Sequence, residues 1–422
     1  MARVLTPQDA HALMNALVKQ ATGQSSIQVT NTASFVSAGE LVLATGIENT
    51  LNSLSIVLGR TMMAVRPYQA KLQIINALNS GIYSNRMRKI SFYAKEAQAS
   101  GDYNTQLFTN LKTGFTAGQN LDSGNQPQST KSQWEQNAPI PLEMNFGGSS
   151  VWEESITRYE DQFAVAFRSE NEFLEFVSGV LTEKANDIES TKEAFNRMTI
   201  LNHIAGVYDM SAVMPGSAVN LTSEFNSEFG TQYTSDELRT TYLKEFLAYF
   251  VERFKMDSKY LTERTAKYHW SPAKIVNGVA HTLLRHTPLS RQRAILYAPL
   301  FTRATAQVLP EIFNPQYLDV GTHEEVNYWQ SLEVPASINI TPAIVNTSNG
   351  TQKEGEPVEL EYVVGMLYDQ DAIMTDYQLD TANTTPLEAR KRYRNIWWSF
   401  RRNAINDFTE NCIIYYMADE EA

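Results

Sequence analysis

Apolar side chains between residues 170 and 206 recur at steps of three and four, with charged side chains between them. This period predicts one long amphipathic helix, with a capping-box pattern at Ser169 and Glu172 and with Gly206 placed to end it. A helix of about 36 residues spans roughly 54 Å, which exceeds the width of a compact domain. We therefore expect it to run along the body of the protein as a spine.

Three weaker patterns predict further helices. Residues 6–20 carry apolar side chains on one side, and a proline fits the first helical position. Residues 235–256 follow a second capping box, formed by Thr234 and Glu237, and carry an aromatic-rich stripe. Residues 301–309 look helical and end before a proline. The mixed stretch at 21–85 is rich in Ser, Thr and Asn, which favours an extended arm.

Two alternating stretches predict strands on either side of a long polar segment. Ile90 and Phe92 alternate with polar residues, and apolar residues alternate again over 140–146. Pro139 and Pro141 cannot donate to a hydrogen-bond ladder, so the second strand should lie at a sheet edge. The segment between the strands is rich in Gly, Asn and Gln, so we predict a long hairpin. Its tip would be disordered, functional or ordered by another subunit.

Apolar runs near the carboxyl end predict core segments. Residues 294–297 and 337–340 have the pattern of short strands. The runs within 360–417 fit buried strands or a buried helix. The chain is therefore predicted to be α+β, with early and late segments sharing one core.

Composition excludes several classes of protein. The 422 residues are 43% hydrophobic, so global disorder is excluded, and the net charge of -12 disfavours general attraction to nucleic acid. Cys412 is the sole cysteine, which excludes an intrachain disulfide and a cysteine-based zinc site and suits a reducing cytoplasm. No signal peptide and no run of 18 apolar residues is visible, so no membrane association is predicted.

No catalytic, metal-binding or cofactor-binding constellation rises above chance. His281 and His286 stand five apart, unlike the helical zinc pair. Asp369 and Asp371 lack calcium-loop spacing and fit alternation at the end of a strand. The Gly-rich stretch at 114–118 lacks the Lys and Ser/Thr of a phosphate loop. Cys412 is expected to be buried as a small hydrophobe. We predict a protein that is not an enzyme and needs no cofactor.

A dense basic cluster lies within residues 390–402. It could face DNA, with Trp397 and Trp398 available for stacking on bases. We favour the alternative that these arginines form ion pairs on a helix, within the chain or between subunits, because the chain contains 47 acidic residues.

Three segments resemble the major capsid proteins of tailed bacteriophages, which share the Hong Kong 97 fold. RAILYAPLFTRATAQVLPEIFNPQYLD (293–319) is similar to their axial segment, and VVGMLYDQDAI (363–373) to a strand that returns to the peripheral domain. RYRNIWWSFRRNAINDFTENCIIYYM (392–417) resembles the carboxy-terminal strand of podovirus-like members. The order of arm, loop, spine helix and later segments also matches across nearly the whole chain.

The resemblance implies an α+β capsid fold with four parts. These are an N-terminal arm at 1–65, an extended β-hairpin loop at 66–150, a peripheral domain at 151–269 and 360–422 with its spine helix at 170–206, and an axial domain at 270–359.

The implied function is structural. Copies would assemble into hexamers and pentamers of an icosahedral head in the host cytoplasm, and the virion would enclose double-stranded DNA without binding it specifically. Implied partners are further copies, a portal and a separate scaffolding protein or none. Candidate intersubunit contact residues are Trp134, Pro139, Pro141, Arg390, Arg392 and Arg394.

Two alternatives are kept. An encapsulin-type compartment would have the same fold and enclose enzymes. A hydrolase or binding protein would use Asp369, Asp371 and His323. Some relatives crosslink a loop lysine to an asparagine of the next subunit, but nothing in this sequence selects such a pair.

Overall fold

The computed structural model describes residues 7–23, 28–45, 71–80, 86–93, 139–148, 150–159, 170–276, 279–307, 322–386, 388–391 and 393–419. The chain forms two compact units. What we call the main unit comprises Met1–Met87, Phe146–Trp270 and Arg285–Ala422, and the ribbon unit comprises Arg88–Asn145 and Ser271–Leu284. The arm, loop, peripheral and axial boundaries given above follow a different division, and they stay predictions.

The described helices lie in the main unit. They are α1 Pro7–Thr22, α2 Thr32–Ala44, α3 Glu170–Asp209, α4 Leu221–Phe229, α5 Ser235–Thr240, α6 Leu243–Leu261 and α7 Ala298–Gln307. Helices α1 and α7 confirm two predictions, although α7 begins three residues earlier than expected. Helix α2 was not anticipated, because the mixed stretch around it suggested an extended arm.

Seventeen strands are found in the described residues. They are β1 Asn76–Leu78, β2 Arg86–Phe92, β3 Pro141–Gly147, β4 Ser150–Tyr159, β5 Ala218–Asn220, β6 Lys274–Val276, β7 Val279–His281, β8 Gln292–Tyr297, β9 Thr322–Val326, β10 Ile338–Ile340, β11 Ala343–Val345, β12 Gln352–Glu354, β13 Val358–Leu360, β14 Tyr362–Asp369, β15 Ile373–Thr384, β16 Tyr393–Asn406 and β17 Cys412–Met417.

Two sheets dominate the main unit. One has five strands in the order β5-β17-β14-β8-β9, and the other has four in the order β1-β15-β16-β4. The pairs β10–β13 and β11–β12 form two small sheets beside them. The ribbon unit contains the pair β6–β7 and most of the pair β2–β3.

The spine helix is present as α3, and it is longer than predicted. Its 40 residues correspond to roughly 60 Å. Gly206 does not end the helix, which continues to Asp209. A Cβ added at Gly206 would lie 2.5 Å from Cζ of Phe408, so this glycine permits a close approach between the helix and the chain before β17. Ser169, the predicted cap, lies outside the described residues.

The helix predicted at 235–256 is in fact two helices. The capping box of Thr234 and Glu237 is confirmed at the start of α5. The chain then leaves helical geometry at Tyr242, whose ring stacks on Tyr233 with 4.0 Å between centroids, and α6 begins at Leu243.

The five-stranded sheet carries the main core. In β14 and β17 the apolar run is almost fully buried, and Leu367 of β14 lies between Ile413 of β17 and Ala294 of β8. Leu72 and Ile75 join the same cluster, so the prediction that early and late segments share a core is confirmed. The apolar runs within 360–417 are strands, so the prediction of buried strands is confirmed over the alternative of a buried helix.

Strand β16 corrects the interpretation of the basic cluster. The arginines of 393–402 lie on a fourteen-residue strand and not on a helix. Alternate residues of β16 are buried, including Arg394 and Arg402, so this segment is an internal strand of the four-stranded sheet.

Candidate assembly surfaces

The ribbon unit has a very small described core. Tyr93, Ile140 and Leu283 form its buried cluster, with Leu142 and Val276 packed against them. The peptide N–H of Tyr93 donates to the carbonyl of Ile140 at 3.0 Å. A two-stranded sheet is marginal in water unless another layer covers it. The described residues of this unit therefore supply little burial to hold it together.

One face of β2 presents its apolar side chains to solvent. Ile90 is 52% exposed and Phe92 is 56% exposed, whereas Ser91 between them is buried. Ile275 on β6 of the same unit is 71% exposed. We call Ile90, Phe92 and Ile275 the exposed ribbon residues. Their arrangement inverts the usual pattern of a half-buried strand, in which the apolar side faces the core.

Polar contacts in the ribbon unit are local and weak. The guanidinium of Arg88 lies 2.7 Å from the Glu143 carboxylate, and both side chains are exposed. The ammonium of Lys274 donates to the Pro141 carbonyl at 3.1 Å. Exposed ion pairs contribute about 0–1 kcal/mol, so these contacts set geometry more than stability.

The predicted contact residues fall into three groups. Pro139 and Pro141 are exposed on the ribbon unit, and Arg390 is exposed on the main unit. Arg394 is 2% exposed, so it lies inside the chain's own fold. Trp134 and Arg392 lie outside the described residues. Contacts with another subunit through these side chains stay predictions.

The main unit has its own exposed apolar strand. Strand β4 pairs with β16 over ten residues without a register shift, and it is an edge of its sheet among the described residues. Val151 and Trp152 on β4 are exposed, as is Trp397 on β16. Trp398 is buried, so the hypothesis that both tryptophans stack on bases is wrong for Trp398.

The structure does not bring the three side chains of the hydrolase alternative together. The guanidinium of Arg291 contacts the carboxylates of both Asp369 and Asp371. Asp369 ends β14 and Asp371 follows in the turn, as alternation at a strand end predicted. His323 lies on β9, on the far side of β8. In the described part of the chain, no group of three His, Cys, Asp or Glu side chains could hold a metal ion.

A partly buried charged cluster escaped the sequence analysis. Arg253 on α6 contacts Asp257 at 3.0 Å and Glu224 on α4 at 2.9 Å, and Tyr415 donates to Asp257 at 3.0 Å. Burial raises the pKa of both carboxyl groups, although Arg253 opposes the shift. Asp257 and Tyr415 are buried within the core, so the cluster ties α6 to β17 and offers substrate no access to them.

Cys412 and two histidines are also internal. Cys412 is buried, as predicted, and this burial raises the pKa of its thiol well above the usual range. Nδ1 of His269 is hydrogen-bonded to Oδ1 of Asn411 at 3.0 Å. His203 is fully buried and stacks on Phe408 with 5.0 Å between ring centroids.

Among the described residues, no helix has the length and apolar character that crossing a membrane requires.

No protein-family model and no curated protein matches the chain. Solved structures do show similarity. A chain in the capsid structure of Staphylococcus phage Andhra has 10% identity and a TM-score of 0.48, over 83% of this chain and 85% of that one. A chain in the structure of head fiber and inner core protein gp22 of native bacteriophage P68 has 10% identity and a TM-score of 0.46, over 82% and 83%. A chain in the asymmetric unit of the bacteriophage PhiM1 mature capsid has 9% identity and a TM-score of 0.42, over 84% and 89%. At these low scores, function must be inferred from the chain's own residues.

Proposed function

We propose that this chain is a major capsid protein of a tailed bacteriophage. Copies assemble into the hexamers and pentamers of an icosahedral head, and the head encloses double-stranded DNA. The observation that carries the proposal is the ribbon unit, which exposes Ile90, Phe92 and Ile275 around a small described core. A second copy of the chain supplies the surface that covers these side chains.

The energy available from this contact is substantial. Fully burying a large apolar side chain contributes about 1.5–3 kcal/mol. Scaled by the exposed fractions of the three ribbon residues, roughly 3–5 kcal/mol per copy is gained when they are covered. A closed shell repeats this contact in every copy, so the individual contributions add up over the whole particle.

The remaining features agree with a structural role. The main unit carries a 40-residue helix, which supplies a rigid rod to each copy. The predicted order of arm, loop, long helix and later segments, which rests on the resemblance, supports the same proposal. The acidic side chains that could serve catalysis at Asp369 and Asp371 are engaged by Arg291.

The net charge suits enclosure of DNA without specific binding. Each copy carries -12, so a shell of many copies presents few sites that hold phosphates tightly. A portal and a separate scaffolding protein are further partners that this proposal implies. The finished protein would reside in the virion after assembly in the host cytoplasm.

The test compares purified wild-type protein with the double variant Ile90→Ser/Phe92→Ser by negative-stain electron microscopy. We expect closed shells from the wild type and unassembled, folded protein from the variant. Phe229→Ser is the matched control, because Phe229 is exposed to the same degree as Phe92 but belongs to the main unit.

Two results would count against the proposal. A wild-type protein that stays monomeric at every salt concentration would remove the shell-building role. Shells from the double variant, or an equal loss with Phe229→Ser, would show that the ribbon residues do not direct assembly. Nuclease-protected DNA inside particles made in cells separates a phage head from an encapsulin-type compartment, which would contain protein cargo.

A further inference from the structure

The hairpin between β11 and β12 ends in an exposed turn of unusual composition. Val345 pairs with Gln352, and residues 346–351 form the connection. Its sequence, NTSNGT, contains two asparagines three residues apart. Gly350 adopts a left-handed conformation with φ of 71°, which favours glycine.

The two asparagine side chains have almost the same hydrogen bonds. Oδ1 of Asn346 accepts from the peptide N–H of Ser348 at 3.0 Å and from its hydroxyl at 2.6 Å. Oδ1 of Asn349 accepts from the peptide N–H of Thr351 at 3.0 Å and from its hydroxyl at 2.7 Å. Each amide carbonyl is therefore polarised by two donors, which makes its Cγ more electrophilic.

The residue after each asparagine differs. Thr347 follows Asn346, and its branched side chain crowds its own peptide nitrogen. Gly350 follows Asn349 and has no Cβ, and space around it is open, because an added Cβ would meet nothing within 4 Å. Asn349 is also exposed, so water reaches the site.

We propose that Asn349 is a site of spontaneous self-modification, in which the chain deamidates and partly isomerises itself. The peptide nitrogen of Gly350 attacks Cγ of Asn349 and forms a five-membered succinimide. The side-chain nitrogen leaves as ammonia and takes the proton released by the peptide nitrogen. Water then opens the ring at either carbonyl, which yields aspartate or isoaspartate, and no oxidant, reductant or other protein takes part.

One backbone hydrogen bond opposes the reaction. The Gly350 N–H donates to the carbonyl of Asn346 at 2.8 Å, and this bond must open before attack. The product adds one negative charge to the tip of the hairpin. Isoaspartate also lengthens the backbone by one atom, which changes the geometry at Gly350 and the register of Val345 with Gln352.

The test is timed incubation of the full-length protein in mildly alkaline buffer, followed by peptide mass spectrometry. Fragment spectra separate Asn349 from Asn346 and from Asn277, which precedes the chain's other Asn-Gly pair. We expect Asn349 to deamidate at least about tenfold faster than Asn346, because only glycine leaves the attacking nitrogen unhindered.

Two variants complete the test. Gly350→Ala should suppress the reaction at Asn349, and Thr347→Gly should start it at Asn346, whose carbonyl is polarised in the same way. Equal rates at both asparagines, or no conversion at Asn349 by the time Asn277 has converted, would overturn the inference. The result does not depend on whether the protein forms shells.

Discussion

Acidification is expected to destabilise the main unit through one histidine. His203 lies on α3, has no exposed surface and stacks on Phe408. Among the described residues, neither ring nitrogen has a hydrogen-bond partner. Burial lowers its pKa from 6.5 to about 4, although the carboxylate of Asp407 and the side chain of Asn406 favour the charged form.

The sign and size of the effect follow from that pKa. Because the folded value lies below the unfolded value, the unfolded chain binds the proton first as pH falls. The contribution to stability is complete above pH 6.5 and is lost as pH falls toward about 4. One pKa unit corresponds to about 1.4 kcal/mol, so the full shift corresponds to roughly 3 kcal/mol.

The contribution of His203 to the free energy of unfolding can be measured by urea unfolding at low protein concentration, followed by circular dichroism. The wild type is compared with His203→Phe. Phenylalanine keeps the stacked ring and removes the titration. The comparison with the variant is needed because the pKa values of Asp257 and Glu224 are raised in the folded protein. Protonation of these carboxyl groups stabilises the folded state as pH falls, which opposes the effect of His203. The stability of the wild type should fall relative to the variant by about 3 kcal/mol between pH 6.5 and 4. A difference that stays constant over this range would refute the reasoning, and His203→Gln provides a second non-titrating comparison.

Two further substitutions test the contacts that stabilise helices α3 and α5. Gly206→Ala should lower the free energy of unfolding, because crowding Phe408 costs about 1–3 kcal/mol and exceeds the roughly 1 kcal/mol gained in helix propensity. Adding Phe408→Leu should recover part of the loss, and a more stable Gly206→Ala variant would show that the ring moves freely. Thr234→Ala should cost about 1 kcal/mol by removing the cap that pairs with Glu237, and an unchanged urea midpoint would mean that the cap contributes nothing.

Local patterns predicted much of the secondary structure. Apolar residues at steps of three and four predicted α3, and the capping box of Thr234 and Glu237 is present as predicted. Alternation correctly placed strands at β2 and β3. These features depend on neighbours a few residues apart, which a sequence displays directly.

Contacts between distant segments could not be predicted in the same way. Gly206 lies within a helix, and the space that its missing Cβ leaves is filled by Phe408, two hundred positions later. Arg394 was expected at a surface, yet its strand lies inside a four-stranded sheet. Arg253 and Asp257 pair within α6, but their contacts with Glu224 and Tyr415 join segments that are distant in the sequence.

The exposure of the ribbon residues could not be predicted from local sequence patterns either. Alternation established that Ile90 and Phe92 share one side of β2, but it could not say whether that side faces the core. In the structure the opposite side, with Ser91, faces inward and Tyr93 enters the small ribbon core. Alternation therefore identifies the apolar side of the strand, and only the tertiary arrangement shows that this side is exposed to solvent.

Electron cryomicroscopy of particles formed by the purified full-length chain tests the shell-building role most directly. The proposal predicts closed icosahedral shells in which Ile90, Phe92 and Ile275 are covered by a neighbouring copy. Shells in which these three side chains remain open to solvent would contradict the assigned surface, and a uniform solution of single chains would contradict the role itself.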